Sequence, residues 1–304
     1  MSSKIVCFGE TLFDVLPDGA VPGGAPMNVA IHLKYNGRSP LVISRVGNDA
    51  PGEALIQLLR EKGLSTEAIQ QDTTYQTGLV KANISHKTHV TYIIVEPVAW
   101  DFISYEEEVA KMVYESEVFI YGSLAARSKT SCETLLKYLA VARLKVFDVN
   151  LRPPHYTPQS ILQLIEQADI IKMNHHELLE IISWFGKTLD EKESMDYLLK
   201  RFNKQLLLVT RGENGASVLT KEGYMEHPGF QVSVEDTIGS GDAFLATFLH
   251  QYLGGMSPAD ALPFACAAGA YVATQRGATP KVPQDFMQGL INNPSLTDHT
   301  TTLI

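Results

Sequence analysis

Residues 146–173 read VFDVNLRPPHYTPQSILQLIEQADIIKM, and this stretch predicts the fold. A short, mainly apolar segment, residues 146–148, is followed by a segment with helical periodicity and then by a second mainly apolar segment, residues 170–173. A strand, a crossover helix and a second strand of this kind form a parallel pair. Strands that are mainly apolar, without alternation of polar and apolar positions, are typically covered on both faces. The stretch therefore predicts an α/β fold.

The same alternation of apolar runs and helical patterns continues along most of the chain. Other strand candidates are residues 5–8, 41–46, 118–121, 206–210 and 216–219. The 304 residues, of which 45% are apolar and 19% charged, have an ordinary globular composition. We expect a single domain over residues 1–304, with a central, mostly parallel sheet and helices on both faces.

One region departs from this pattern. Residues 78–84 and 89–95 alternate between apolar and polar positions, and residues 85–88 separate them. This period of two indicates an antiparallel hairpin with one covered face, which does not belong inside a parallel sheet. We predict a small β-sheet lid formed by residues 10–24 and 76–105. Residues 292–304 are polar and aperiodic, and we predict a flexible tail there.

Charge and cysteine content exclude several classes of protein. The 25 Lys and Arg residues face 34 Asp and Glu residues, for a formal charge of -9. A chain without a basic surplus is poorly suited to nucleic acid or to an anionic membrane. The three cysteines are too few and too far apart for a disulfide framework or a zinc site. We expect a cytoplasmic protein with neither nucleic acid nor membrane as partner.

The sharpest chemical signal is Asp236-Thr237-Ile238-Gly239-Ser240-Gly241-Asp242, which precedes a helical pattern at residues 243–249. A glycine-bracketed turn at a helix start exposes backbone N–H groups and binds anions. A carboxylate beside a phosphate suggests a base for phosphoryl transfer to a hydroxyl. The alternative is that Asp242 only caps the helix. The chain has no Walker-type loop, and no Gly-x-Gly-x-x-Gly follows its first strand.

A second cluster lies near the N-terminus. Asp14 follows the first strand candidate, and Gly23-Gly24-Ala25-Pro26-Met27-Asn28 opens a helical pattern. Paired glycines allow close approach of a ligand to the backbone, and Asp14 and Asn28 could bind the hydroxyls of a polyol. The alternative is an ordinary loop with Asn28 on the surface.

Together these motifs resemble the ribokinase-like (PfkB) carbohydrate kinases over nearly the whole chain. The glycine pair with Asn28 and residues 236–242 resemble the two signatures of that family. Four further elements fall in the family's order: Gly47-Asn48-Asp49 with Gly52, the Asn-x-x-Glu element Asn174 to Glu177, Thr210-Arg211-Gly212 with Gly215, and Gly277-Ala278-Thr279-Pro280. Six elements in order are far more specific than any one of them.

The resemblance implies a set of roles. Gly239, Ser240 and Gly241 would form the anion hole, and Asp242 would be the catalytic base. The sugar would bind at Asp14, Gly24 and Asn28, and ATP at Asn174, Glu177, Thr210, Gly212 and Gly215. Glu177 would order Mg²⁺ through water, its alternative being an acid that caps a helix. Asp236 could hold a monovalent cation, which leaves a requirement for K⁺ open.

Arg152 bears on which sugar is bound. Residues 148–152, Asp-Val-Asn-Leu-Arg, resemble the Asp-x-Asn-x-Arg stretch of the fructokinase and 2-keto-3-deoxygluconate kinase branches. Arg152 follows a buried strand candidate, and open α/β sheets bind ligands at the carboxyl ends of their strands. Its guanidinium could stabilise phosphate charge or hold a sugar oxygen. The alternative is a structural ion pair.

The charge of the lid favours a neutral sugar. No Lys or Arg lies between Thr88 and Ala110, where Glu96 and Asp101 stand beside aromatic residues. Acids repel an acid sugar, whereas aromatic faces suit a neutral ring. Tyr92, Trp100 and Phe102 are the aromatic candidates, of which we assign Tyr92 to the sugar site. Their alternative is packing or a dimer contact.

We therefore expect an ATP-dependent fructokinase that forms fructose 6-phosphate and acts as a homodimer. Three other acceptors remain open within the family: 2-keto-3-deoxygluconate, ribose and a nucleoside. A non-catalytic protein that binds a sugar or nucleotide is the alternative from a different class. An intact base at Asp242 argues against it, because a pocket without catalysis has no need of one.

Overall fold

The computed structural model describes residues 4–16, 19–86 and 89–292, without the side chains of residues 4, 16, 82–86 and 89–92. The chain divides into two compact units, Met1–Ile171 and Lys172–Ile304. That the chain acts as a single kinase domain stays a prediction. The predicted tail at residues 292–304 lies outside the described residues, apart from Asn292.

The first unit alternates strands with helices. Its strands are β1 (Lys4–Phe8), β2 (Leu12–Leu16), β3 (Gly19–Gly23), β4 (Ser39–Gly47), β5 (Ile69–Asp72), β6 (Gly78–His86), β7 (His89–Ile94), β8 (Val118–Gly122) and β9 (Lys145–Asp148). Its helices are α1 (Ala25–Tyr35), α2 (Ala50–Glu61), α3 (Glu107–Glu115), α4 (Lys129–Leu139) and α5 (Pro158–Gln167).

The strands of this unit form two sheets. The larger has the order β9-β8-β1-β4-β5, and each neighbouring pair is parallel. The smaller has the order β3-β2-β6-β7, with β6 and β7 antiparallel as predicted. Polar β5 was missed by the sequence analysis, because an outermost strand with an exposed face lacks the apolar run of an inner one.

Helix ends follow from local sequence. Asp49 caps α2, where its carboxylate accepts a hydrogen bond from the Gly52 N–H at 2.8 Å. Thr157 caps α5 in the same way, and Pro158 occupies the first position of that helix. The buried residues of α5 are Ile161, Leu164 and Ile165, at a spacing that places them on one face.

The second unit carries the remaining elements. Its strands are β10 (Ile170–Asn174), which contains the boundary between the units, β11 (Leu206–Thr210), β12 (Ala216–Thr220) and β13 (Tyr224–His227). Its helices are α6 (His175–Ser183), α7 (Glu191–Arg201), α8 (Ser240–Leu253), α9 (Pro258–Ala273) and α10 (Gln284–Asn292). Its strand order is β13-β12-β11-β10, and β12 pairs antiparallel with both of its neighbours. Polar β13 was also missed.

The predicted class is confirmed: an α/β protein with a mostly parallel sheet, helices on both of its faces and a separate small β-sheet. The inner strands are the most deeply buried, with Ile5, Val6, Cys7 and Phe8 of β1 fully inaccessible. Burial raises the pKa of Cys7, which keeps its thiol neutral. Among the described helices, none combines the length and apolar character that crossing a membrane requires.

Candidate active site

The glycine-bracketed turn stands at the start of α8, as its sequence predicts. Gly239 is the N-cap residue, with a left-handed φ of 79°, and a Cβ atom there would lie 2.6 Å from the Cα of Ala278. Only glycine satisfies both constraints. Ser240, Gly241 and Asp242 are the first three residues of α8, so their backbone N–H groups face away from the helix body. The turn therefore has the geometry of an anion site.

Asp236 secures this turn. One carboxylate oxygen accepts from the Ile238 N–H at 3.0 Å, and the other accepts from the Gly277 N–H at 3.4 Å. The carboxylate thus joins residues 236–239 to the loop around Gly277. Both oxygens of the Asp236 carboxylate therefore accept hydrogen bonds from backbone N–H groups. Its role toward a monovalent cation stays a prediction.

A cavity of about 260 Å³ lies in the second unit and brings predicted residues together. The turn at residues 239–241, called the anion turn below, contributes Ser240 and Gly241. The end of β11 contributes Thr210, and the loop after β11 contributes Gly212 and Gly215. The Ser240 hydroxyl oxygen is buried and has no hydrogen-bond partner among the described residues. A buried polar atom of this kind fits a polar ligand. The cavity suits a nucleotide phosphate beside the turn.

Other residues of this cavity were missed by the sequence analysis. Its apolar wall comes from the segment between β13 and α8, from Phe244 of α8 and from one face of α9. The residues involved are Phe230, Val232, Val234, Phe244, Cys266, Gly269, Ala270 and Ala273. The α9 members follow the i, i+3, i+4, i+7 spacing of one helix face, and all are small. That run of small residues was the available signal. Burial raises the pKa of Cys266 to about 12, so its thiol lines the wall in the neutral form.

Asn174 and Glu177 form a reciprocal cap at the start of α6. The Asn174 side chain accepts from the Glu177 N–H at 2.9 Å, and a Glu177 oxygen accepts from the Asn174 N–H at 2.8 Å. Glu177 therefore caps helix α6, as the alternative interpretation predicts. Mg²⁺ retains several waters in proteins and takes only one or two carboxylates. The buried Glu177 carboxylate, one oxygen of which accepts the Asn174 N–H, fits a role in which it holds Mg²⁺ through water.

The first unit holds the predicted sugar residues. Gly24 precedes α1 with a φ of 114°, and a Cβ atom there would lie 3.2 Å from the Cα of Thr11. Asn28 is buried in α1, so the surface alternative for it is wrong. Asp14 lies on β2 against Gly23, where a Cβ atom would overlap its carboxylate. Close glycine backbone around polar side chains is the arrangement expected for a polyol.

In the first unit, the charge of Arg152 affects the ionisation of the Asp14 carboxyl. Burial raises the pKa of the Asp14 carboxyl, and the charge of Arg152 opposes that rise. The guanidinium also donates to the Leu151 carbonyl at 3.0 Å. Arg152 is thus close enough to Asp14 to favour its ionised form. The side chain of Tyr92 lies outside the described part of β7, and its sugar role stays a prediction.

The interpretation of Trp100 and Asp101 needs correction. Trp100 is fully buried, and the Arg127 guanidinium lies 3.9 Å from its ring centre. Arg127 also binds Asp101 through two hydrogen bonds of 2.7 Å. Trp100 therefore packs rather than offering a free face to a sugar, and Asp101 is neutralised. The sequence analysis missed Arg127 because it comes from a distant part of the chain.

Comparison with known proteins identifies the family of this chain. Residues 3–285 match the family model described as pfkB family carbohydrate kinase. The chain is 30% identical to probable fructokinase-3 of Arabidopsis thaliana, over 93% of this chain and 89% of that protein. It is 29% identical to fructokinase-2 of Solanum lycopersicum, over 93% of this chain and 94% of that protein.

Solved structures show the same fold. A fructokinase of Xylella fastidiosa with bound ATP matches with a TM-score of 0.84 and 23% identity, over 97% of this chain and 100% of that chain. A fructokinase of Vibrio cholerae with fructose, ADP and calcium bound matches with a TM-score of 0.81 and 24% identity, over 95% and 98%. A match to a family model over nearly the whole chain is decisive: this chain belongs to the pfkB family and is a carbohydrate kinase.

Proposed function

We propose that this carbohydrate kinase is an ATP-dependent fructokinase, which converts fructose and ATP to fructose 6-phosphate and ADP. The observation that carries the proposal is the cavity of the second unit, where the nucleotide loops and the anion turn lie together. The named activities of the curated relatives support fructose as the acceptor. Asp14, Gly24 and Asn28 supply the polar groups and close backbone for the sugar.

Asp242 is the proposed base. The oxygen of the sugar hydroxyl attacks the γ-phosphorus, the bond from that phosphorus to the β–γ bridging oxygen breaks, and ADP leaves. Asp242 accepts the hydroxyl proton, and the N–H groups at residues 239–241 hold the transferring phosphoryl group. The Ser240 hydroxyl, which lacks a partner among the described residues, is available to the same group.

Cations would assist at two places. Glu177 and Asn174 would hold Mg²⁺ through water, and the ion neutralises charge on the ATP phosphates when bound. Asp236 and the loop at Gly277 are the proposed place for K⁺. ATP and Mg²⁺ occur together in the solved structure of a putative ribokinase II of Escherichia coli, which matches this chain with a TM-score of 0.82 and 20% identity.

With Arg127 included, the charges around Asp101 and Glu96 still favour a neutral sugar over 2-keto-3-deoxygluconate. Arg127 faces both Asp101 and Glu96, whose carboxylate lies 3.8 Å from the guanidinium. His155 contacts Glu96 but adds no positive charge at pH 7. Its pKa is lowered mainly by burial and secondly by the charge of Arg127, so its imidazole is neutral at that pH. The cluster therefore retains a negative balance, which opposes an acid substrate.

Arg152→Ala should lower turnover or sugar affinity by about 10-fold or more, because a positioned guanidinium is lost from beside Asp14. Steady-state kinetics in fructose and in ATP would measure the effect. Arg143→Ala is a suitable control, since Arg143 stacks on Tyr114 at the surface. Unchanged kinetics for Arg152→Ala would leave that residue with a structural role only.

A coupled ADP-release assay at saturating Mg-ATP tests the function itself. The acceptors are fructose, glucose, mannose, ribose, adenosine and 2-keto-3-deoxygluconate. We expect a rate dominated by fructose. A rate only with the acid sugar would overturn the charge argument, and one with ribose or adenosine would move the protein to another branch of the family. No rate with any acceptor, together with retained ATP binding, would favour the non-catalytic alternative.

Light scattering of the same sample tests the predicted homodimer.

A further inference from the structure

Glu191, the first residue of α7, is a largely buried carboxylate that none of the sequence motifs explains. Its side chain is 13% exposed. One carboxylate oxygen lies 2.8 Å from Nδ1 of His175, and the other accepts a hydrogen bond from the Ser217 hydroxyl at 2.6 Å. A carboxylate that leaves water needs such contacts in place of its hydration. Glu191 therefore joins two segments that only folding brings together.

The first of these contacts reaches the start of α6. His175 is the first residue of that helix and directly follows its cap residue, Asn174. Asn174 and Glu177 form the reciprocal cap for which we propose a water-mediated Mg²⁺. Because the His175 side chain belongs to the same turn, its contact with Glu191 fixes that turn against α7. A single side chain thus separates Glu191 from the proposed metal element.

The second Glu191 oxygen faces Arg211, which precedes the nucleotide loop. The Arg211 Nη1 lies 3.8 Å from that oxygen and donates to the Glu226 carboxylate at 3.0 Å. The Arg211 Nη2 donates to the Ala216 carbonyl at 3.1 Å and to the His227 carbonyl at 3.3 Å. Ala216 begins β12 and His227 ends β13. Arg211 therefore ties these two strand ends together.

The same strand ends lead into the walls of the nucleotide cavity. Gly215 directly precedes β12, Gly229 follows β13, and both glycines line the cavity. The two backbones cross at close range, since a Cβ atom on Gly229 would lie 2.9 Å from the Gly215 Cα. Glycine permits such an approach. The room for a nucleotide depends on the spacing of these strand ends, which Arg211 sets.

We propose that Glu191 is a positioning residue of the nucleotide site, which holds the metal element at the start of α6 and the cavity wall next to Arg211 in one fixed arrangement. Glu191 is not among the residues that line the cavity, so it acts through His175 and Arg211. The inference rests on the proposed function in one respect, the assignment of the cavity to ATP and of the α6 cap to Mg²⁺. Residues that orient a binding group commonly matter nearly as much as the group itself.

The kinetic test compares Glu191→Ala with Glu193→Ala. Glu193 lies in the same first turn of α7, is exposed, and accepts from the Asp190 N–H at 3.2 Å. Both substitutions remove a carboxylate from the start of one helix. We expect Glu191→Ala to raise the KM for ATP by about 10-fold, with kcat and the KM for the sugar within about 2-fold of wild type. Glu193→Ala should keep the wild-type KM for ATP.

A direct binding measurement separates positioning from stability. Calorimetric titration with the non-hydrolysable analogue AMP-PNP in EDTA reports on the cavity wall, and titration with AMP-PNP and Mg²⁺ adds the metal element. Glu191→Ala should weaken both affinities. His175→Ala should keep the affinity in EDTA and lose part of the gain from Mg²⁺. A loss of stability alone lowers the apparent kcat and the stoichiometry but leaves both affinities at their wild-type values, and this result would overturn the proposal.

A double-mutant cycle tests the contact between Glu191 and His175. If His175 acts through Glu191, His175→Ala has no further effect on the affinity with Mg²⁺ in a Glu191→Ala background. An equal effect in both backgrounds would show that the two side chains act independently, which contradicts the proposal. If Glu191→Ala does not fold, Glu191→Asp replaces it in every measurement, because it keeps the charge but is one methylene too short to make both contacts.

Failure of the proposed function gives different results. Wild-type activity on ribose alone would reject fructokinase, and the AMP-PNP affinities of the Glu191 variants would still decide the positioning role. Wild-type binding of AMP-PNP without any gain from Mg²⁺ would reject the metal assignment and, with it, the part of the proposal that concerns His175. Wild-type binding with a gain from Mg²⁺, fully retained in Glu191→Ala, would reject the positioning role and leave the proposed function intact.

Discussion

Asp242→Asn is expected to lower kcat by about 10²- to 10⁴-fold while ATP binding is retained. Asparagine has the same size as aspartate but does not accept the hydroxyl proton. The anion turn depends on the backbone at residues 239–241, which this substitution leaves in place. Turnover with saturating fructose measures the loss, and thermal shift with Mg-ATP measures binding.

Asp260→Asn provides a matched control for Asp242→Asn. Asp260 is the third residue of α9, as Asp242 is of α8, so both substitutions remove a carboxylate from the first turn of a helix. Asp260 accepts from the Ser257 hydroxyl at 2.6 Å and has no place in the cavity. Asp260→Asn should keep full turnover. Full turnover in Asp242→Asn would show that another group takes the proton, and equal losses in both variants would point to helix stability.

Arg127→Met is expected to reduce the free energy of unfolding by about 3–5 kcal/mol. The side chains of Arg127 and Asp101 are only 3% and 4% exposed, so loss of one partner leaves the other charge buried. The guanidinium also donates to the Val95 carbonyl at 2.8 Å and covers the Trp100 ring. Methionine retains much of the packing and removes the charge and its hydrogen bonds.

The measurement can be confined to the first unit. The chain has two tryptophans, Trp100 and Trp184, and they lie in different units. In a Trp184→Phe background, Trp100 fluorescence during urea denaturation follows the unit that holds Arg127. Lys129→Ala is the control, because Lys129 is 88% exposed and its pair with Glu133 at 3.9 Å contributes little. Equal midpoints for the two variants would refute the stabilising role of Arg127.

His155 offers a second readout for Arg127→Met. Burial is the main cause of its lowered pKa, and the charge of Arg127 is the next. Removal of that charge should raise the pKa of His155 toward its ordinary value of 6.5, as followed by NMR titration. A histidine with a lowered folded pKa stabilises the protein above pH 6.5 and loses this contribution as the pH falls. Arg127→Met should therefore weaken the acid dependence from His155.

Sequence and structure agree where the signal is local. The hairpin of β6 and β7, the turn before α8 and the cap of α6 each depend on residues close together in the chain. Period-two alternation, glycine at a left-handed position and Asn-x-x-Glu spacing are sufficient to specify such elements. The sequence analysis did not predict the polar edge strands β5 and β13, because one face of each strand lacks an apolar partner and the strand therefore lacks an apolar run.

The amino-acid sequence by itself determined the α/β class, the small separate sheet and the position of the glycine-bracketed turn before α8. Only the tertiary structure paired Arg127 with Asp101, 26 residues away, and so supplied a cationic partner to a segment that contains no Lys or Arg of its own. It also set His175 of α6 against Glu191 of α7 and one face of α9 against the cavity. Local motifs are read from neighbouring residues, whereas the charge and walls of a site come from residues that only folding brings together.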